Sequence, residues 1–370
     1  MNKSAWCLAA ILASPLAPGT AATEACLPQP GMVCAVMGNI HVYASSEGQL
    51  RELQIPVAAA QSLFTQHFSR AVPRGAVIAE SQIGGDQTRA LKQSGLRWVL
   101  PWLDQDARQR LLAASIRSQL RSRLPEASDA AIEQMVAQSL PSADRRADAR
   151  AGAESRVDAA APSVLEGSLQ HEIGHLLFIH AYFDGESATG NASGDDAAVY
   201  GAAGAPDWLD EVSAILLEDP ALADARRRDF SARVRQRGLA SIEPLASYFA
   251  RTHPGLATPE IRERIEAAEA LPQGGSQLVV ITGQDLADAR AAGALDEGDF
   301  YSQSRVVADF MLESSDDPGV FGKLAAAVAQ GSSLADWLQT SESGLSCRTV
   351  DELDAEWRRW VARRYLDEDA

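Results

Sequence analysis

His171-Glu172-Ile173-Gly174-His175 is the stretch from which the rest of the chain is read. Residues four apart on an α-helix are displaced by only about 40° around the axis and about 6 Å along it, so two imidazoles at this spacing can converge on one cation. Glu172 lies about 100° from His171 and reaches the open side of such a cation. Zinc lowers the pKa of a coordinated water to about 7, and a carboxylate alongside can take its proton. The pattern therefore suits metal-assisted amide hydrolysis. The surrounding residues read as a helix. Ser163-Val164-Leu165-Glu166 has the form of a capping box, and Leu165, Leu169, Ile173, Leu176 and Leu177 recur on one face. The plain alternative is a pair of helix-surface histidines satisfied by water or neighbours.

A catalytic zinc site takes three protein ligands. His180, five residues after His175, lies about 140° away around the helix and points elsewhere, as a boundary or core histidine. The metzincin pattern is absent, because Phe178 and Ala181 stand where it needs glycine and histidine. The better third donor is in Pro206-Asp207-Trp208-Leu209-Asp210-Glu211-Val212-Ser213-Ala214-Ile215, a helix opened by proline with acids in its first turn. Glu211 shares a face with Trp208, Val212 and Ile215. An ionised carboxylate on such a face is costly unless it is paired or bound to metal. A salt-bridged acid at a helix edge is the other reading. Asp210 falls with Asp207 and Ala214 and reads as solvated. Glu218, two turns on from Glu211, is a possible outer partner of a ligand.

His171 to His175, followed 36 residues later by Glu211 within Trp208-Leu209-Asp210-Glu211-Val212-Ser213-Ala214, resembles the gluzincin peptidases. The resemblance is closest to the peptidase MA-like proteins related to leucyl and alanyl aminopeptidases. It spans about 165–365 and implies a thermolysin-like zincin domain with His171, His175 and Glu211 on one Zn²⁺ and Glu172 as general base. It also implies that Tyr301, opening an apolar helix that ends at Leu312, donates a hydrogen bond to the oxyanion of the tetrahedral intermediate; a packing tyrosine is the alternative. Val212 stands where the family usually has glycine, which narrows the space beside the ligand. The Gly-x-Met-Glu-Asn segment with which the aminopeptidases hold a free amine is missing, so an endopeptidase is favoured.

Working outward, residues 1–22 read as an export signal: Lys3, an apolar stretch from Ala5 to Ala17, then small residues. Cys26 and Cys34 lie close enough to pair in an oxidising compartment, leaving Cys347 as the odd thiol. Residues 23–140 form a smaller α/β lobe, with strands at Ile40–Tyr43 and Ala76–Ala79, a helix at Val57–Phe68 and helical pattern from Asp104 to Leu140. Residues 141–162 are an Ala/Arg/Asp-rich linker. Residues 163–370 are the mostly helical catalytic domain, with further helices expected at Phe300–Leu312, Val320–Gln330 and Val350–Tyr365. The fold class is thus α+β. A net charge of -17 disfavours nucleic acid and anionic lipid as partners. The expectation is an exported, periplasmic or secreted zinc peptidase acting on a peptide or protein, with no membrane span. The rival is a peptidase-like, zinc-binding or degenerate protein that recognises a partner in the cell envelope.

Overall fold

The computed structural model describes residues 26–79, 85–102, 105–139, 164–183, 204–251, 253 and 297–366. The expected signal, the 141–162 linker, the Ser163 capping box and nearly all of the 184–205 loop lie outside them. Among the described residues the fold is mostly helical with one four-stranded sheet, consistent with an α+β class. None of the described helices is long and apolar enough to cross a membrane.

The sheet runs in the order β1 (Val33–Met37), β2 (Ile40–Ala44), β3 (Gly75–Ile78), β4 (Trp98–Pro101). The first pair is antiparallel and the other two are parallel. Alternation along the strands sends Ile40, Val42, Ala44 and Val77 to one face, against helix α1 (Glu47–Phe68). Tyr43, Ala76 and Ile78 go to the other, with Leu91 of α2 (Gly85–Gln93). Cys26 and Cys34 are disulfide-bonded, which ties the chain ahead of β1 to that strand; Cys347 is a free, buried thiol.

Helix α1 starts ten residues before the sequence reading placed it. The Ser46 side chain accepts from Gln49 N and caps it. The buried stripe Leu50, Leu53, Val57, Ala60, Phe64 then carries the helix through Pro56, which forfeits one backbone hydrogen bond. Helices α3 (Gln105–Arg123) and α4 (Asp129–Ser139) pair through Arg117–Glu133 and Arg121–Asp129.

The remaining helices are α5 (Val164–Tyr182), α6 (Asp207–Leu216), α7 (Pro220–Arg237), the short α8 (Leu245–Phe249), α9 (Glu297–Ser315), α10 (Val320–Ala329), α11 (Leu334–Leu338) and α12 (Val350–Tyr365). The last four match the sequence reading within a few residues, apart from α11, which it did not place. Helix α6 is central. Every residue from Trp208 to Leu216 is buried, the polar Asp210, Glu211 and Ser213 among them. One hydrophobic core runs from Val42 and Phe64 through Ile173, Leu209 and Val212 to Phe310, Leu324 and Trp357. The inner face of the sheet and the helices on either side of α6 therefore share one interior.

Candidate metal centre

Helices α5 and α6 approach so closely that a Cβ on Gly174 would lie 2.6 Å from the Ala214 Cα. Glycine is required there, and the contact brings the two helices' polar residues face to face. His171 Nε2 and His175 Nε2 are 3.2 Å apart. Glu211 Oε1 lies 3.6 Å from the first and its Oε2 3.9 Å from the second. One donor atom from each of the three residues falls within 4.8 Å of the other two, so the group can hold a metal ion. Glu211 is completely buried.

The outer nitrogens determine what the inner ones offer. His171 Nδ1 is 2.9 Å from Glu218 Oε1, and His175 Nδ1 is 2.8 Å from Asp210 Oδ1. A carboxylate accepts, so each Nδ1 carries the proton, and the Nε2 lone pairs face inward beside a third carboxylate. Burial alone would lower the His175 pKa, but Asp210, then Glu211 and Glu172, outweigh it and push it up to about 9. Burial alone would raise Glu211, yet His171, His253 and His175 hold it down at about 2. The pocket is therefore a field that favours positive charge where the three donors meet. A proton and a divalent cation compete for the same lone pairs.

Glu218 is anchored in turn by Arg226 of α7, which donates to both its oxygens, with Nε 2.8 and 2.7 Å away. The Arg226 guanidinium also lies 4.6 Å from the centre of the Tyr301 ring. Helix α9 is fixed over the site by a network of charges. Arg227 donates to both oxygens of Asp309 at 2.7 and 2.9 Å, and Arg305, bonded to the same Asp309, donates to the Ile215 carbonyl at the end of α6 at 3.2 Å.

The structure brings His171, His175 and Glu211 together. Glu172 is on the exposed side of α5, and its charge is felt at His175. Tyr301 is partly buried, with its ring centre 6.1 Å from that of His171. Glu218, just past the end of α6, is the partner of His171 as the spacing suggested. His180 is partly buried and not part of the cluster.

Asp210 corrects the sequence reading. It is buried, not solvated, because α6 has no water-facing side and its residue 210 position is turned toward His175. Arg226 sits in an Arg226-Arg227-Arg228 run that reads as surface. His253 was also missed; no spacing relates it to the other histidines. Its Nε2 is 3.5 Å from Glu211 Oε2 and 3.2 Å from the Tyr301 hydroxyl. An open groove of about 740 Å³, whose lining includes Phe68, Arg70, Tyr182, Lys323 and Trp337, contains none of these residues. No protein-family model, curated protein or solved structure matches the chain.

Proposed function

We propose that the chain is a zinc-dependent peptidase whose helical part is a thermolysin-like catalytic domain of the gluzincin kind. The observation that carries the reading is the meeting of two Nδ1-anchored imidazoles and one buried carboxylate, from two helices, at a single point. Two nitrogens and an oxygen form a donor set that suits zinc, and three protein ligands leave a position for water or substrate. His171, His175 and Glu211 would hold the ion. When bound, it supplies a Lewis acid that acidifies water and polarises a carbonyl.

The protein's own groups do the rest. Glu172, exposed beside the cluster, takes the proton of the attacking water and passes it to the leaving amine. The Tyr301 hydroxyl donates a hydrogen bond to the oxygen of the attacked carbonyl as charge develops there. The aminopeptidase amine-binding segment is missing from the sequence, so internal peptide bonds are the favoured substrate. The Cys26–Cys34 disulfide supports an exported protein, periplasmic or secreted, because such bonds persist in oxidising compartments.

Protein purified without added metal is expected to carry one zinc per chain by elemental mass spectrometry. It should cut members of a quenched-fluorescent peptide library and stop on chelation. Glu172→Gln keeps the zinc and loses roughly 10²–10⁴-fold in rate; His175→Ala loses both zinc and cleavage. Bound zinc without cleavage of any peptide would overturn the peptidase reading in favour of a zinc-holding protein that recognises a partner. Cleavage by Glu172→Gln at the parent rate would overturn the mechanism.

A further inference from the structure

His253 stands where the two halves of the site meet. Its Nε2 lies 3.5 Å from Glu211 Oε2 and 3.2 Å from the Tyr301 hydroxyl oxygen. It lies outside the three-donor cluster and beside one of its members. Its position is built by the fold. The His253 N–H donates to Asp207 Oδ2 at 2.8 Å, at the start of α6. The chain leading to it is clamped onto the first turns of α9. Gln303 accepts from Glu243 N at 3.1 Å and donates to the Glu243 carbonyl at 3.0 Å, and the Tyr248 hydroxyl donates to Ser304 Oγ at 2.8 Å. The His253 ring is buried against Phe300, with centres 5.5 Å apart.

One ring nitrogen has either a proton to donate or a lone pair to accept with. An ionised carboxylate only accepts, so the neighbour Glu211 Oε2 requires the proton on His253 Nε2. That proton then faces two acceptors, Glu211 Oε2 and the Tyr301 oxygen, in a three-centre arrangement. With its oxygen accepting from His253, Tyr301 has its own hydroxyl proton turned away from the imidazole.

We propose that His253 is a positioning residue. Its Nε2–H holds the second oxygen of Glu211, which fixes the carboxylate as a ligand, and turns the Tyr301 proton toward a substrate oxygen. The inference rests on the zinc-peptidase reading given above, but its first readout is metal affinity and needs no catalysis.

The test compares the parent with His253→Phe, His253→Gln and Tyr301→Phe, each checked for the parent's circular dichroism. Zinc affinity is measured by competition with a chromophoric chelator, Co²⁺ spectra report the ligand field, and kcat and KM are taken on the library peptide cut fastest by the parent. His253→Phe is expected to bind zinc about 10–100-fold more weakly, to shift the visible Co²⁺ bands and to lower kcat more than KM. His253→Gln, whose amide N–H can replace the ring donor, recovers most of both. Tyr301→Phe lowers kcat and leaves zinc affinity at the parent value. A folded His253→Phe that binds zinc as tightly as the parent overturns the proposal, as does a His253→Gln no better than His253→Phe. If the parent binds zinc but cuts nothing, the peptidase reading falls and the affinity comparison still decides the role of His253. A parent that takes up no divalent cation overturns both.

Discussion

Two seams in this molecule are built by the same device and differ in what lies along them. Gly174 lets α5 rest on α6, and Gly322 lets α10 rest on the end of α1, where an added Cβ would meet the Phe68 carbonyl oxygen, also at 2.6 Å. The α1–α10 seam continues into stacked Phe64 and Phe68, with ring centres 5.0 Å apart, and into the core residues Val320 and Phe321. The α5–α6 seam is flanked by equally apolar residues, Ile173, Val212 and Ile215, but encloses His171, His175, Asp210, Glu211 and Glu218. Close approach of backbones is thus a packing solution used twice. Only one seam places buried charges in mutual contact, and burying them requires every acid to have a compensating donor or cation.

If that distinction is physical, the two seams fail differently. The largest effect is expected at the apolar one. Phe64→Ala removes a fully buried ring and should cost about 3–5 kcal/mol of stability in urea unfolding, while the zinc affinity of the folded variant stays close to that of the parent. A parallel collapse of affinity would show that the seams are one cooperative unit. Next is Glu218→Gln, which leaves the Arg226 guanidinium without its counter-ion at a mostly buried position. The expected loss is about 3 kcal/mol, together with weaker zinc binding. Adding Arg226→Met should restore the stability but not the affinity, because His171 Nδ1 still faces a neutral partner.

Smaller again is the direct comparison of the glycines. Gly174→Ala and Gly322→Ala each force apart backbones already in contact, at about 1–3 kcal/mol by overpacking, offset by up to about 1 kcal/mol of helix propensity. Thermal melts should place the two variants near each other. Zinc competition should separate them, since only Gly174→Ala moves Glu211 away from the imidazoles. Equal zinc affinity in both would break the assignment of the metal centre to the α5–α6 seam.

The contrast also explains what the sequence made legible. Periodicity along one element found α5, α9, α10 and α12, and the i, i+4 spacing found His171 and His175, because such signals are local. Glu211 was reached by one further step, that a carboxylate on an apolar stripe needs a reason. The same wheel misassigned Asp210, since a helix buried on every side has no solvated face to assign. Helix α1 was read only from Val57, because a proline in its interior is a local penalty, whereas the buried stripe from Leu50 to Phe64 that outweighs it at Pro56 is tertiary. His253 carries no periodic signal at all. Its placement depends on the clamps Gln303–Glu243, Tyr248–Ser304 and His253–Asp207, each of which joins residues more than forty apart along the chain.

The finest test of the polar seam is Asp210→Asn. The substitution keeps the size of the side chain and an oxygen able to accept from His175 Nδ1, so it isolates the charge. In the zinc-free protein above about pH 9, where His175 is neutral, its effect should be small, within about 1 kcal/mol, the scale of a single hydrogen bond made slightly weaker. Zinc affinity should still fall about 10–100-fold, because a neutral amide no longer makes His175 a stronger donor. The two readouts thus diverge in a way that a cavity or a shifted helix cannot imitate, since those change melting temperature and affinity together. Unchanged affinity at unchanged stability would mean that the Asp210 carboxylate is only filling space beside His175. The polar seam would then differ from the apolar one in composition but not in function.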